Sequence, residues 1–175
     1  ELNDYIYSSI NNGVYKCGFA TSQQAYDEAI GPLFEALDRV DEILASSRFL
    51  VGDTPTEADW RLFPTLFRFD SIYVGHFKCN KKRISEYKNL WPYARDLYQW
   101  NKIKETTKME HAIKHYYQSH ITINPTRIVP TGSFDNWDLL IGYNVENWGV
   151  SNGRTIVNVL NARDRADQVG GSDLI

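Results

Sequence analysis

Two histidines, His111 and His115, have a spacing that could serve metal chemistry. Residues four apart on a helix share one face, so both imidazoles could bind one zinc ion. A third ligand and the glutamate of a metalloprotease motif are missing beside them. Ordinary surface or core histidines are therefore the better interpretation, and we predict no metal site.

The two cysteines, Cys17 and Cys79, are the candidate nucleophiles. Neither belongs to a Cys-X-X-Cys pair, and a single lysine beside each is weak evidence for a reactive thiolate. Buried structural thiols are the better interpretation. The sequence also has no nucleophile elbow, no glycine-rich phosphate loop and no dinucleotide fingerprint. We find no self-sufficient catalytic set and assign no catalytic residue to this chain.

Tyrosines offer a different chemistry. A phenol hydroxyl donates well to a phenolate or carbonyl oxygen, and its ring stacks on an aromatic ligand. Tyr15 follows the first predicted helix and Tyr116 lies on the last well-patterned helix, so a helical bundle could bring both to one end. Aromatic residues make up 14% of the chain, so ordinary core filling is the alternative.

The bulk properties limit the possible function classes. The chain has 175 residues and a formal charge of −3, with acidic and basic residues interspersed. This length fits one domain with a sizeable core plus a tail. No basic stripe indicates nucleic acid, and no polybasic run indicates a membrane surface. With two unpaired cysteines, no signal peptide and no bilayer-spanning apolar run, a cytoplasmic protein is expected.

The chain opens without Met, partway into a helix, and we interpret it as a fragment or processed piece.

The clearest local signal is the stretch from Val51 to Asp70. Thr56 and Asp59 form a capping box, which predicts a helix beginning at Glu57. Apolar residues then recur three and four apart, as on a core-facing helix. Pro64 should bend this helix, because it removes a backbone hydrogen bond.

Other helices follow from the same kind of signal. The first should end near Asn11, Asn12 and Gly13. The second should begin at a Thr21 or Ser22 cap, run to about Ser46 and bend at Pro32. Two more are predicted to start from an Asn89 cap and from a capping box of Thr107 and Glu110. After His120 the chain should run extended, because Pro125 and Pro130 interrupt it.

Several longer stretches are specific enough to indicate a family. They are NNGVYKCGFATSQQAYDEA, TEADWRLFPTLFRFD, YVGHFKCNKKRI, NLWPYARDLYQ and HYYQSHITINPT. Together they closely resemble the C-terminal domain of the xi-class glutathione S-transferases, the glutathionyl-hydroquinone reductases. The resemblance covers residues 1 to about 130 and implies an all-α helical bundle. Residues 131–175 would then be an irregular extension of unknown role.

The resemblance also implies a function. Such enzymes remove glutathione from glutathionyl-hydroquinones: a cysteine thiolate attacks the conjugate sulfur, and free glutathione resolves the mixed disulfide. That cysteine and the glutathione site belong to an N-terminal thioredoxin-like domain, in a Cys-Pro-Trp-Ala motif absent from this chain. Carried over by motif, Tyr15 and Tyr116 would donate to the hydroquinone oxygen. The chain is therefore expected to bind the aromatic substrate, to form a homodimer and to be inactive alone.

One departure from the family lies after Gln99, where an apolar residue and Pro-Gly are usual but Trp100, Asn101 and Lys102 stand here. The turn before the Tyr116 helix should lack its usual rigid geometry. The alternative function is a stand-alone interaction module, since transferase-like helical domains also serve assembly in translation complexes. An upstream Cys-Pro-Trp-Ala coding sequence would favour the enzyme interpretation.

Overall fold

The computed structural model describes residues 1–132 and Trp137, and all regular structure in this part of the chain is helical. The elements are α1 (Leu2–Ile6), a π-helical turn (Tyr7–Asn11), α2 (Asn12–Gly18), α3 (Gln23–Leu44), α4 (Glu57–Arg68), a second π-helical turn (Phe69–Tyr73), α5 (Val74–His76), a 3₁₀ turn (Ile84–Glu86), α6 (Leu90–Tyr98), α7 (Ile103–Thr106) and α8 (Met109–Ser119). The predicted all-α class is confirmed. None of these helices is both long enough and apolar enough to cross a bilayer.

The first helical segment does not end where the sequence predicted. A π-helical turn takes the chain through Asn11, and α2 then continues to Gly18. Gly13 is buried, and a β-carbon there would lie 3.1 Å from the Leu33 Cδ1 methyl of α3. The glycine therefore permits close packing of two helices rather than ending one. As a consequence, Tyr15 lies on a helix and not in a turn.

The long helix α3 begins after Ser22, whose Oγ accepts a hydrogen bond from the Ala25 N–H at 3.1 Å. Its inner face carries most of the apolar residues that pack against α2 and α6. Asp41, a polar residue of α3, caps a distant helix: its carboxylate accepts the N–H groups of Asn89 at 2.8 Å and Leu90 at 2.7 Å. Asn89 is the N-cap of α6, as predicted, but the capping side chain is Asp41. The Asn89 amide instead donates to the Asp41 carbonyl.

Helix α4 starts at the capping box of Thr56 and Asp59. One oxygen of the fully buried Asp59 carboxylate accepts the Thr56 N–H at 2.7 Å and its hydroxyl at 2.8 Å. The other oxygen accepts the Leu50 N–H at 2.9 Å and the Tyr93 hydroxyl at 2.8 Å. Asp59 therefore joins the loop before α4 to helix α6.

The predicted capping box of Thr107 and Glu110 is wrong. Helix α8 begins one residue later than expected, after Lys108, which has no side-chain cap. The Thr107 hydroxyl donates backward to the Ile103 carbonyl at 2.6 Å, and the Glu110 carboxylate pairs with Lys114 at 2.5 Å. Both side chains therefore have partners other than the start of α8.

Between His120 and Gly132 the chain contains no helix. The predicted extended course is wrong for the first part of this segment, because residues 121–123 and 125–126 form turns closed by backbone hydrogen bonds, such as that from the Ile123 N–H to the His120 carbonyl at 3.0 Å. Within the predicted extension, Trp137 is only 6% exposed. Its ring centroid lies 4.8 Å from that of Trp91 and 5.2 Å from that of Phe67. Its carbonyl accepts the Gln99 side-chain amide at 3.0 Å. Residues 133–136 and 138–175 of the predicted irregular extension lie outside the described residues.

Candidate binding site with three phenols

Three tyrosine hydroxyls meet at one end of the bundle. Tyr15 comes from α2, Tyr73 from the π-helical turn after α4, and Tyr116 from α8. The Tyr116 hydroxyl lies 2.5 Å from that of Tyr15 and 2.9 Å from that of Tyr73. Tyr116 is therefore the middle member of a continuous chain of three hydroxyls.

Aromatic packing holds these phenols in place. The rings of Tyr73 and Phe77, four residues apart, are stacked with centroids 5.2 Å apart, and the Tyr15 ring also lies 5.2 Å from Phe77. A β-carbon at Gly18 would lie 2.1 Å from the Phe77 ring. Only glycine at this position lets the ring pack directly on α2. The glycine therefore allows the ring against which both Tyr15 and Tyr73 pack to lie close to α2.

Only one phenol faces solvent to any extent. Tyr15 is 39% exposed, whereas Tyr116 is 5% and Tyr73 is 2% exposed. Burial, followed by the hydrogen bond to Tyr116, raises the pKa of Tyr15 to about 12. The same two causes raise the pKa of Tyr73 far above its ordinary value. Both phenols therefore remain protonated donors at neutral pH.

The protons of these hydroxyls can be counted. Three phenols carry three O–H protons, and two internal hydrogen bonds use two of them. One proton remains to donate outward. Tyr15 is the exposed member, so the chain can present this proton outward when donation runs from Tyr73 to Tyr116 to Tyr15. In such a chain each hydrogen bond polarises the next.

The three phenols line a cavity of about 700 Å³, within the usual size range of small-molecule sites. Its other walls combine aromatic, polar and basic side chains. The lining residues are Asn11, Tyr15, Phe63, Pro64, Thr65, Phe67, Arg68, Tyr73, Thr106, Thr107, Lys108, His111, Ala112, His115 and Tyr116. This arrangement can hold a flat aromatic molecule and donate a hydrogen bond to its oxygen.

Two histidines, His76 and His120, pack next to the phenol cluster. His76 Nε2 is 3.1 Å from His120 Nδ1, and the His120 ring centroid is 5.1 Å from that of Tyr116. Burial, with the positive charges of His120 and Lys78, lowers the pKa of His76 to about 4. His76 is therefore neutral at physiological pH and contributes packing and a hydrogen bond.

The structure brings together some of the residues singled out from the sequence. Tyr15 and Tyr116, 101 positions apart, touch through their hydroxyls. Sequence reasoning missed Tyr73. Phe69, Tyr73 and Phe77 recur every fourth residue, which would have placed Tyr73 on the face that carries Phe77.

The other candidates have different places. His111 and His115 are exposed on α8 and line the cavity, and no group of three metal-ligating side chains occurs within residues 1–132 or at Trp137. Cys17 and Cys79 are buried neighbours. The hydrogen bond between their thiols lowers the pKa of Cys17 and, together with burial, raises that of Cys79. Neither thiol lines the cavity.

Comparison with known proteins defines the class. A model of the glutathione S-transferase C-terminal domain matches residues 23–96. The glutathionyl-hydroquinone reductase YqjG of Escherichia coli K12 is 54% identical over 138 residues, which are 79% of this chain and 42% of that protein. The chain therefore carries a glutathione S-transferase C-terminal domain.

Solved structures narrow the class further. The glutathione-bound structure of YqjG has a TM-score of 0.76 and aligns with 78% of this chain and 44% of that one. The xi glutathione S-transferase of Phanerochaete chrysosporium is 50% identical, with a TM-score of 0.74 over 76% of this chain and 45% of that one. The relatives are thus glutathionyl-hydroquinone reductases and xi-class transferases, as the motifs predicted. This chain spans a little over two fifths of their length.

Proposed function

We propose that this chain is the hydroquinone-binding part of a glutathionyl-hydroquinone reductase. The observation that carries the proposal is the hydrogen-bonded pair of Tyr15 and Tyr116 at a cavity of about 700 Å³. A ring-lined cavity with an outward phenol donor suits a flat molecule that bears oxygen. Relatives at 54% and 50% identity, a glutathionyl-hydroquinone reductase and a xi-class transferase, support this substrate class.

The phenols act during cleavage of the conjugate. The conjugate reacts as its keto tautomer, in which the proton of the ring hydroxyl has moved to the sulfur-bearing carbon and the ring oxygen is a carbonyl. A thiolate outside this chain attacks the conjugate sulfur and forms a mixed disulfide with glutathione, while the electrons of the broken carbon–sulfur bond pass to the carbonyl oxygen, which then takes up a proton to give the hydroquinone. Negative charge therefore develops on the ring oxygen. The outward hydroxyl of Tyr15, itself hydrogen-bonded to Tyr116, stabilises that charge by donating to it. Glutathione is the co-substrate, and its site lies mainly in an N-terminal domain outside this chain.

A binding experiment tests the role of the phenols. Calorimetric titration of the 175-residue chain with 1,4-hydroquinone should show binding that the double variant Tyr15→Phe, Tyr116→Phe weakens by roughly tenfold. Tyr26→Phe is the matched control, because it removes a phenol hydroxyl bonded to the Lys78 carbonyl, away from the cavity lining. No binding of hydroquinone, or equal affinity in the double variant, would overturn the site assignment.

An activity experiment tests the division of labour. The chain mixed with glutathione and a glutathionyl-hydroquinone should not exceed the uncatalysed rate. Fusion of the chain to the thioredoxin-like domain of a xi-class relative should restore turnover, and the double phenylalanine change should lower it. Turnover by the isolated chain would contradict the proposed dependence. Failure of the fusion to turn over would instead favour the interaction-module alternative.

The expected homodimer stays a prediction. Light scattering after gel filtration measures the oligomeric state and tests it.

A further inference from the structure

The cavity has a one-sided charge. Its lining includes the basic residues Arg68, Lys108, His111 and His115, and no aspartate or glutamate. The whole chain, by contrast, carries a net charge of −3. The excess of positive charge is thus a local property of this cavity and not of the protein surface in general.

The side chain of Arg68 is held in place beside the cavity. Arg68 is the last residue of α4 and is half-buried, and its Nη1 donates to the Pro64 carbonyl at 2.7 Å. This bond fixes the guanidinium beside the cavity. Although burial dominates and raises the pKa values of Tyr15 and Tyr73, the charge of Arg68 acts on both in the opposite direction. The guanidinium belongs to a residue that lines the same cavity as the phenols.

Neither Arg68 nor Lys108 has a carboxylate partner among the residues that the structure describes. Other arginines do: Arg48 pairs with Asp96 at 3.1 Å, and Arg61 pairs with Glu57 at 2.7 Å. A half-buried guanidinium that has one backbone partner retains further N–H donors. These donors have the planar arrangement that matches a carboxylate.

We propose that the cavity is selective for hydroquinones that carry a carboxylate on the ring, with the ring oxygen at Tyr15 and the carboxylate at Arg68. Lys108 adds a second positive charge on the same lining and attracts the anion. This inference rests on the proposed function and goes further, because it names the substituent that the aromatic substrate bears. It also assigns Arg68 as the residue that determines specificity.

Three related probes test the inference with the full 175-residue chain. They are 1,4-hydroquinone, 2,5-dihydroxybenzoate and the neutral 2,5-dihydroxybenzamide, titrated by calorimetry under anaerobic conditions. The carboxylate should bind about tenfold more tightly than the amide, since charge-assisted bonds to Arg are stronger than neutral ones. Raising the salt concentration should reduce that ratio, because ions screen the attraction.

Two arginine variants of α4 complete the test. Arg68→Gln should reduce the carboxylate-to-amide affinity ratio from about tenfold to about twofold or less. Arg61→Gln removes the same charge from an exposed site on the same helix and should leave the ratio at its original value. Circular dichroism confirms that each variant is folded.

The two proposals fail in different ways. Equal affinity for the carboxylate and the amide, with hydroquinone still bound, would overturn the specificity proposal and leave the proposed function intact. An unchanged ratio in Arg68→Gln would overturn the role of Arg68. Absence of binding by all three probes would overturn the proposed function itself, and the specificity proposal with it.

Discussion

The hydroxyls of Tyr73 and Tyr116 lie 2.9 Å apart in the interior of the protein. Tyr73 does not reach the solvent side of the phenol chain, so it acts on a ligand through Tyr116 and Tyr15. Tyr73→Phe should therefore weaken hydroquinone binding by about two- to fivefold, the effect of one supporting hydrogen bond. Calorimetric titration measures this change.

Comparison with Tyr15→Phe separates a supporting phenol from the donor itself. Tyr15→Phe removes the outward hydroxyl and should cost more affinity than Tyr73→Phe. An equal or larger loss in Tyr73→Phe would contradict the order of donation. Unchanged affinity would show that the inner hydroxyl does not influence binding.

Asp59 is the residue whose loss should cost the most stability. Its carboxylate accepts four hydrogen bonds, two of them from the backbone N–H groups of Leu50 and Thr56. Asp59→Ala would leave these buried donors without an acceptor, and we expect a loss of about 3 to 5 kcal/mol in the free energy of unfolding. Urea denaturation measures it. Tyr93→Phe removes only one donor and should cost about 1 kcal/mol, so similar losses in the two variants would contradict the central role of the carboxylate.

His76 should make the protein sensitive to acid. Its pKa is lowered to about 4 in the folded protein, whereas an unfolded histidine titrates near 6.5. Below pH 6.5 the unfolded state binds a proton that the folded state does not, so the contribution of His76 is complete above pH 6.5 and is lost as the pH falls towards 4. Acidification from pH 7 to pH 4.5 should therefore lower the Tm of His76→Gln less than it lowers the Tm of the unchanged protein. The difference between the two decreases should be about 3 °C or more.

The exposed His111 provides the control for this measurement. His111→Gln should lose as much thermal stability on acidification as the unchanged protein. If His76→Gln and the unchanged protein lose stability in parallel, the buried histidine is not the source of the acid sensitivity.

Lys102 adopts a left-handed backbone conformation, with φ of 59°, at the start of α7. An L-residue with a β-carbon is strained there, and glycine is not. Lys102→Gly should raise the free energy of unfolding by about 0.5 to 1 kcal/mol, as measured by urea denaturation. Lys102→Ala keeps the β-carbon while removing the charge and should give no gain. A gain of equal size in both variants would attribute the effect to charge instead of backbone strain.

Local signals predicted the parts of the fold that depend on neighbouring residues. The cap at Ser22 and the capping box at Thr56 could be predicted, because each partner is three positions away in the sequence. Asp41 could not have been found in this way, since the backbone groups that it caps lie 48 and 49 positions away. The error at Thr107 has a related cause, because its hydroxyl bonds to the preceding helix α7 and not to α8.

The candidate site shows the same limit. Helical periodicity placed Tyr116 on a helix but could not bring it to Tyr15, which lies 101 positions earlier. The resemblance to a family paired these two residues, whereas Tyr73 followed from neither source. Its role depends on the packing of the π-helical turn against α8, which is a tertiary property.

Trp137 has a practical consequence for anyone who shortens this protein. Truncation at residue 130, the boundary that the family motifs indicate, would remove an indole that covers Phe67, Trp91 and Tyr98. The resulting aromatic surface would be open to water and prone to self-association. Expression vectors for the helical domain should accordingly retain the chain through Trp137, and the yield of monodisperse material would report how far that indole protects it.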